Sequence, residues 1–237
     1  MIPELAAPTD SPFPPPEQAA VEPNGLLAWG GDLDPARLIN AYRHGIFPWY
    51  SPGQPILWWS PEPRVVLVPQ QVHIARRLSR LLRQQRYRLS ADRDFAAVIE
   101  ACARRNDKAG ETWITADMQA AYTELHQLGH AHSIEVWDAD GLAGGLYGVS
   151  LGRIFFAESM FSRQANCSKI ALVTLCRVLA SHRFPLIDCQ IPNPHLERLG
   201  AAPVSRGYFT GVLASYVDLA EPITDWQEAF DQPIDWC

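Results

Sequence analysis

The segment from Ile46 to Arg64, IFPWYSPGQPILWWSPEPR, constrains the fold more than any other stretch of this chain. It sets four tryptophans and tyrosines among five prolines. Proline fixes φ and removes a backbone donor, so the segment is predicted to form neither a long helix nor a central strand. Trp49, Tyr50, Trp58 and Trp59 then read either as core or as a partly exposed platform on which an unpaired base stacks. Upstream, SPFPPPEQ is predicted to be extended or polyproline-like. Between the two, Asp34 and Pro35 read as an N-cap and first helical position, Leu38, Ile39 and Tyr42 as an apolar face, and Gly45 as the stop.

The texture changes after Pro63. VVLVP reads as a short strand, and HIARRLSRLLRQQR as a helix with Ile74, Leu78, Leu81 and Leu82 on one face. Further helices are predicted over 92–104 and 116–128. From 132 the period becomes two: SIEVWD, LAGGLYGVSLG and RIFFAESM read as consecutive antiparallel strands. The glycines among them match no phosphate loop and suit hairpin turns and close backbone approach. A helix over SKIALVTLCRVLASH, a strand over PLIDCQI and a short helix capped by Asn193 follow. This order predicts an α+β protein with a mixed, mostly antiparallel sheet, the order also seen in GNAT acyltransferases. The change of texture divides the chain into a small N-terminal α/β domain, 1–63, and a larger domain, 64–237.

Charge is unevenly placed. The formal net charge is −6, yet residues 64–88 hold seven arginines and no acid, while 207–237 hold six acids and no lysine or arginine. Six of the arginines fall within 76–88 with no carboxylate to form i,i+4 pairs. A solvated helix face is the ordinary reading, and a phosphate backbone is the anion that would otherwise relieve the repulsion. Five cysteines without CxxC or zinc spacing point to a reduced, cytoplasmic protein. The N-terminus has no basic-then-apolar signal, and no run approaches the roughly 18 apolar residues of a membrane helix.

Asp188 and Gln190 of LIDCQI share one strand face, about 7 Å apart, and Ile187, Cys189 and Ile191 the other. A half-exposed strand explains the pair, and so does a carboxylate that orients an amide beside a reacting centre. Glu158 ends an apolar run, either at the strand's exit to solvent or as a partly buried acid with a raised pKa. Parity aims Cys189 away from Asp188 and Gln190, against a catalytic thiol. His126, His130 and His132 match no strong metal motif and read as surface residues. No metal is expected.

Four stretches carry a resemblance: EPNGLLAWGGDLDPARLINAYRHGIFPWYSPGQPILWWSPEPR, ETWITADMQAAYTELHQLGHAHSIEVW, GGLYGVSLGRIFFAESMFSR and LIDCQ. In this order they resemble the leucyl/phenylalanyl-tRNA–protein transferase family, over residues 13–206. The resemblance implies a cytoplasmic bacterial aminoacyltransferase of the N-end rule degradation pathway, with a GNAT-like catalytic domain. Such enzymes move leucine or phenylalanine, and methionine less well, from aminoacyl-tRNA to proteins beginning with arginine or lysine. It implies a catalytic set of Asp188, Gln190 and Glu158. It further implies that Trp49, Trp113, Tyr42 and Tyr122 hold the terminal adenosine, and that Leu146, Phe155, Met160, Leu172, Leu175 and Ile187 line the amino-acid pocket. Leu146 and Leu175 stand where the family carries methionine and phenylalanine. Arg76, Arg77, Arg80 and Arg83 are expected to meet tRNA phosphates. An aminoacyl ester is already activated, so no cofactor is expected; a monomer without membrane association is.

One conflict stands within this set. Simple parity puts Ile187 opposite Asp188, so both meet one substrate only if the strand ends or bulges there. Three alternatives remain. A coenzyme-A-dependent N-acetyltransferase would need a glycine-rich loop where this chain reads SRQANCSKIAL. A peptidoglycan aminoacyltransferase would not carry the N-terminal motif. A non-catalytic tRNA-binding module would show no turnover.

Overall fold

A computed structural model describes residues 1–6, 9, 11–104 and 112–232. The proline-rich N-terminal part forms a four-stranded sheet from β1 (Glu4–Leu5), β2 (Leu26–Gly30), β3 (Phe47–Pro48) and β4 (Leu57–Trp59), in the order β1-β2-β4-β3. Helix α1 (Pro35–Arg43) packs on it, with the Asp34 side chain accepting from the Ala36 N–H at 2.9 Å. β4 corrects one expectation: three residues of the proline-rich segment do form an inner strand. The prolines bracket the strand without entering it, so its own donors stay available for pairing.

The remainder builds a seven-stranded sheet from β5 (Arg64–Leu67), β6 (Arg88–Ala91), β7 (Ala131–Asp138), β8 (Gly141–Leu151), β9 (Ile154–Ser162), β10 (Leu186–Gln190) and β11 (Ala202–Val204). The order is β11-β5-β10-β9-β8-β7-β6, antiparallel throughout except for β9 and β10. Helices α2 (Arg76–Arg83), α3 (Phe95–Arg104), α4 (Ala116–Gln127), α5 (Cys167–Ser181), α6 (Pro194–Glu197), α7 (Arg206–Tyr216) and α8 (Trp226–Asp231) complete the fold. The α+β class and the mixed, mostly antiparallel sheet are those expected.

Both faces of the sheet are covered, which is why β8 is buried along nearly its whole length. One face, with α3, α4, α1 and the small sheet, makes a core holding Tyr42, Trp58, Tyr122 and Phe156. The other, with α5, holds Leu146, Phe155, Leu172, Leu175 and Ile187. Glycine in β8 permits this closeness: a Cβ on Gly148 would lie 2.2 Å from the Phe156 carbonyl, and one on Gly144 2.4 Å from Cys167 of α5. Trp226 of α8 is 4% exposed, so the acidic C-terminal region packs down at that point; Trp236 lies outside the described residues.

Two irregularities position the site. The parallel pairing of β9 and β10 spans only Ile154–Phe156 against Leu186–Asp188. Just beyond it each strand bulges away from its antiparallel neighbour. β9 shifts register against β8 across Ala157–Ser159, leaving Glu158 as the extra residue. β10 shifts against β5 between Asp188 and Gln190, leaving Cys189 extra. A bulge bends its strand and re-aims the side chain beside it. Two bulges facing each other across an ended parallel pair open a cleft between β9 and β10.

Candidate active site

The cleft holds about 180 Å³ and is lined by Phe47, Pro48, Trp49, Trp113, Leu146, Ala157, Glu158, Ser159, Met160, Cys189, Gln190, Ile191, Asn193 and Leu196. Both bulges deliver side chains to it. Gln190 has φ +64°, which turns it out of strand geometry, and its amide Nε2–H donates to Glu158 Oε1 at 2.8 Å. The register shift lies beyond Asp188, so Ile187 and Asp188 keep to opposite faces and neither lines the cleft; the bulge re-aims Cys189 and Gln190 alone.

Asp188 is fully buried and meets Arg64 through two bonds, Nε to Oδ1 at 2.8 Å and Nη2 to Oδ2 at 2.6 Å. It reaches Gln190 through the backbone, where Oδ1 accepts the Gln190 N–H at 3.0 Å. Its carboxylate is thus occupied by a guanidinium and a peptide N–H. Arg64 is the functional residue that sequence reasoning missed as an individual. Its signal was present, an arginine isolated from the helix cluster at the mouth of a strand, but only the fold brings it to Asp188.

Glu158 sits in a cage of phenols. Tyr42 Oη lies 2.7 Å from Oε1, Tyr122 Oη lies 3.1 Å from Oε2, and the two phenol oxygens also touch one another. Three contacts join these groups, and the phenols bring two protons. All three are hydrogen bonds only when Glu158 carries the third, each group donating to the next round a ring. The energetics agree: burial, with the Asp188 charge adding to it against the lowering by its hydrogen bonds, raises the Glu158 carboxyl to about 7. Burial, and then the Glu158 charge, push both phenols well above the usual tyrosine value.

The aromatic residues separate by depth. Trp49 is 39% exposed and Trp113 is half-buried, and both edge the cleft. Tyr42 and Tyr122 are 0% exposed and lie beneath it, holding Glu158. Trp58 and Tyr50 are core, so the exposed platform reduces to Trp49, with Trp59 donating its indole N–H to the Trp49 carbonyl at 2.7 Å. Of the apolar set, Leu146 and Met160 line the cleft, while Phe155, Leu172, Leu175 and Ile187 form the fully buried layer behind it. Cys189 lines the cleft, contrary to its parity, but burial holds its thiol well above the usual value, so it stays un-ionised.

Arg76, Arg77, Arg80 and Arg83 stand exposed on α2, whose Leu78 and Leu82 face the core. No carboxylate pairs with these four among the described residues. The histidines are not all on the surface: His132 is 5% exposed, with Nδ1 2.7 Å from Asp92 and its ring stacked on Trp226. His132 thus ties the turn after β6, β7 and α8 together, and no group of potential metal ligands occurs among the described residues.

An amide and a carboxyl thus meet in a cleft of mixed polar and apolar lining, beside an exposed indole. Comparison with known proteins gives the family. A family model described as leucyl/phenylalanyl-tRNA protein transferase matches residues 66–214, and one described as the N-terminal domain of that protein matches 31–62. A leucyl/phenylalanyl-tRNA–protein transferase of Pseudomonas syringae pv. syringae is 58% identical over 87% of this chain and 90% of its own length. One from Pseudomonas paraeruginosa is 59% identical over 89% of this chain and 93% of its own. The solved structure of L-PGS from Bacillus licheniformis aligns with a TM-score of 0.39 and 8% identity over 87% of this chain and 64% of that one, too loosely to argue from. The chain belongs to the leucyl/phenylalanyl-tRNA protein transferase family.

Proposed function

We propose that the protein transfers leucine or phenylalanine, and methionine less well, from its tRNA ester to the α-amine of proteins beginning with arginine or lysine. The observation that carries this reading is the Gln190–Glu158–tyrosine constellation at the mouth of the cleft. Trp49 and Trp113, which edge the cleft, receive the terminal adenosine, with Tyr42 and Tyr122 acting from below. Leu146 and Met160 take the amino-acid side chain, backed by Phe155, Leu172, Leu175 and Ile187. Arg76, Arg77, Arg80 and Arg83 meet the phosphate backbone. The protein works as a cytoplasmic monomer of two domains, a small one at 1–63 and the catalytic one at 64–237.

The chemistry needs a neutral amine, an oriented approach and a home for the protons. With its Nε2–H given to Glu158, Gln190 is left with its oxygen to accept from the incoming amine. The amide is too weak a base to keep a proton. A carboxyl near 7 is matched to an α-amine near 8. Ionised Glu158 takes one proton from the ammonium, and the freed amine attacks the ester carbonyl. The C–N bond forms, the bond to the ribose oxygen breaks, and that oxygen leaves with a proton from Glu158. The new amide nitrogen returns its surplus proton to Glu158. Three ammonium protons end on the amide, the ribose hydroxyl and the carboxyl.

The test is label transfer from leucyl-tRNA or phenylalanyl-tRNA to a peptide beginning with arginine, without metal or nucleotide. Transfer to that peptide and not to one beginning with alanine is expected. Binding of tRNA with no transfer to any acceptor would overturn the reading.

A further inference from the structure

Gln190 adopts a conformation that a residue with a Cβ disfavours. Its φ is +64°, and around it the Ile191 N–H closes on the Cys189 carbonyl at 2.8 Å. A three-residue turn with positive φ is rare and strained, and such strain persists only where the surroundings impose it. Here the constraint is traceable. Asp188 Oδ1 holds the Gln190 N–H, and Arg64 holds both Asp188 oxygens. The guanidinium is itself fixed, its carbon 4.8 Å from the Phe47 ring centroid and 4.7 Å from that of Phe209. Its remaining arm, Nη1, donates to the Gly45 carbonyl at 3.0 Å, two residues before the Phe47–Pro48–Trp49 run that edges the cleft.

Resting on the transfer reading above, we infer that Arg64 is a positioning residue that locks the Gln190 turn through Asp188 and ties it to the backbone presenting Trp49. Asp188 acts through this grip rather than on the Gln190 side-chain amide, which it does not touch. Only a planar fork serves three acceptors in two directions at once; an ammonium at the same place keeps the charge and loses the geometry.

Arg64→Lys tests this with two readouts. Amide hydrogen exchange at Gln190 is expected to quicken about tenfold or more, while Leu172 in α5 is unchanged. With leucyl-tRNA and an arginine-led peptide, kcat is expected to fall about 10- to 100-fold and the donor KM to move less than about threefold. Unchanged exchange at Gln190 overturns the inference, as does a loss confined to KM or a loosening that reaches Leu172 equally. Exchange needs no substrate, so an inactive wild type would count against the proposed reaction while exchange still judged Arg64. Should the lysine variant not fold, Asp188→Asn keeps an oxygen for the Gln190 N–H and weakens the ionic grip; the same quickening at Gln190 is expected, and its absence overturns the inference.

Discussion

Glu158 has two phenols and an amide as neighbours, and the proton it shares with them makes the site sensitive to pH. Its carboxyl is raised from 4.5 to about 7, chiefly by burial. The sign for stability follows: the folded state holds a proton that the unfolded state releases, so this contribution is complete below about 4.5 and is lost as pH rises through about 7. For turnover, the reactive state has one dissociated proton between Glu158 and the acceptor amine. Acceptor kcat/KM is therefore expected to rise towards pH 7, hold between about 7 and 8, and fall above. Glu158→Gln should lower kcat by roughly 10²- to 10⁴-fold and move the acidic limb from about 7 to the acceptor amine's own value near 8. A variant retaining that limb at the same pH would assign it to another group. Sequence reasoning identified Glu158, Asp188 and Gln190 as the polar residues to watch. It left Arg64 unassigned, because a partner 124 residues away leaves no local pattern.

At the scale of elements, the paired bulges in β9 and β10 explain why correct strands led to wrong parity. The strands themselves were readable from alternation, and the caps from Asp34 and Asn193. A bulge adds one residue without changing composition, so Cys189 turned towards the cleft with no local sign. The short strands β2, β6 and β11 also escaped, since their pairing is set by neighbours distant in sequence. The opposite holds for α2, where Leu78 and Leu82 inward and the arginines outward follow directly from helical periodicity. Replacing Arg76, Arg80 and Arg83 by alanine should weaken tRNA binding and make its logarithmic salt dependence shallower by roughly 2 to 3. Filter binding across a salt series reads this directly. An unchanged slope would mean that the arginine face meets solvent only.

The whole molecule shares a core across its two sheets. Leu27, Leu38, Tyr42 and Trp58 from the small sheet and α1 join Val66, Tyr122 and Phe156 in one apolar cluster. Such a core should unfold as a unit, with calorimetric and van't Hoff enthalpies in agreement. Leu38→Ala should cost about 2–5 kcal/mol and lower one single transition. Two transitions, only one of them shifted, would show that the parts fold separately. Periodicity, capping residues and proline placement by themselves determined α1 to α6, the long strands, the α+β class and the residues rich in chemistry, because those are local properties of backbone and side chain; α7 and α8 were not read from the sequence. The long motifs determined the family. Tertiary structure alone decided that Tyr42 and Tyr122 lie under the cleft around Glu158, that Asp188 is gripped by Arg64, and that the β9–β10 pair opens where it does. Each depends on side chains brought together across the chain, and on burial strong enough to shift a proton.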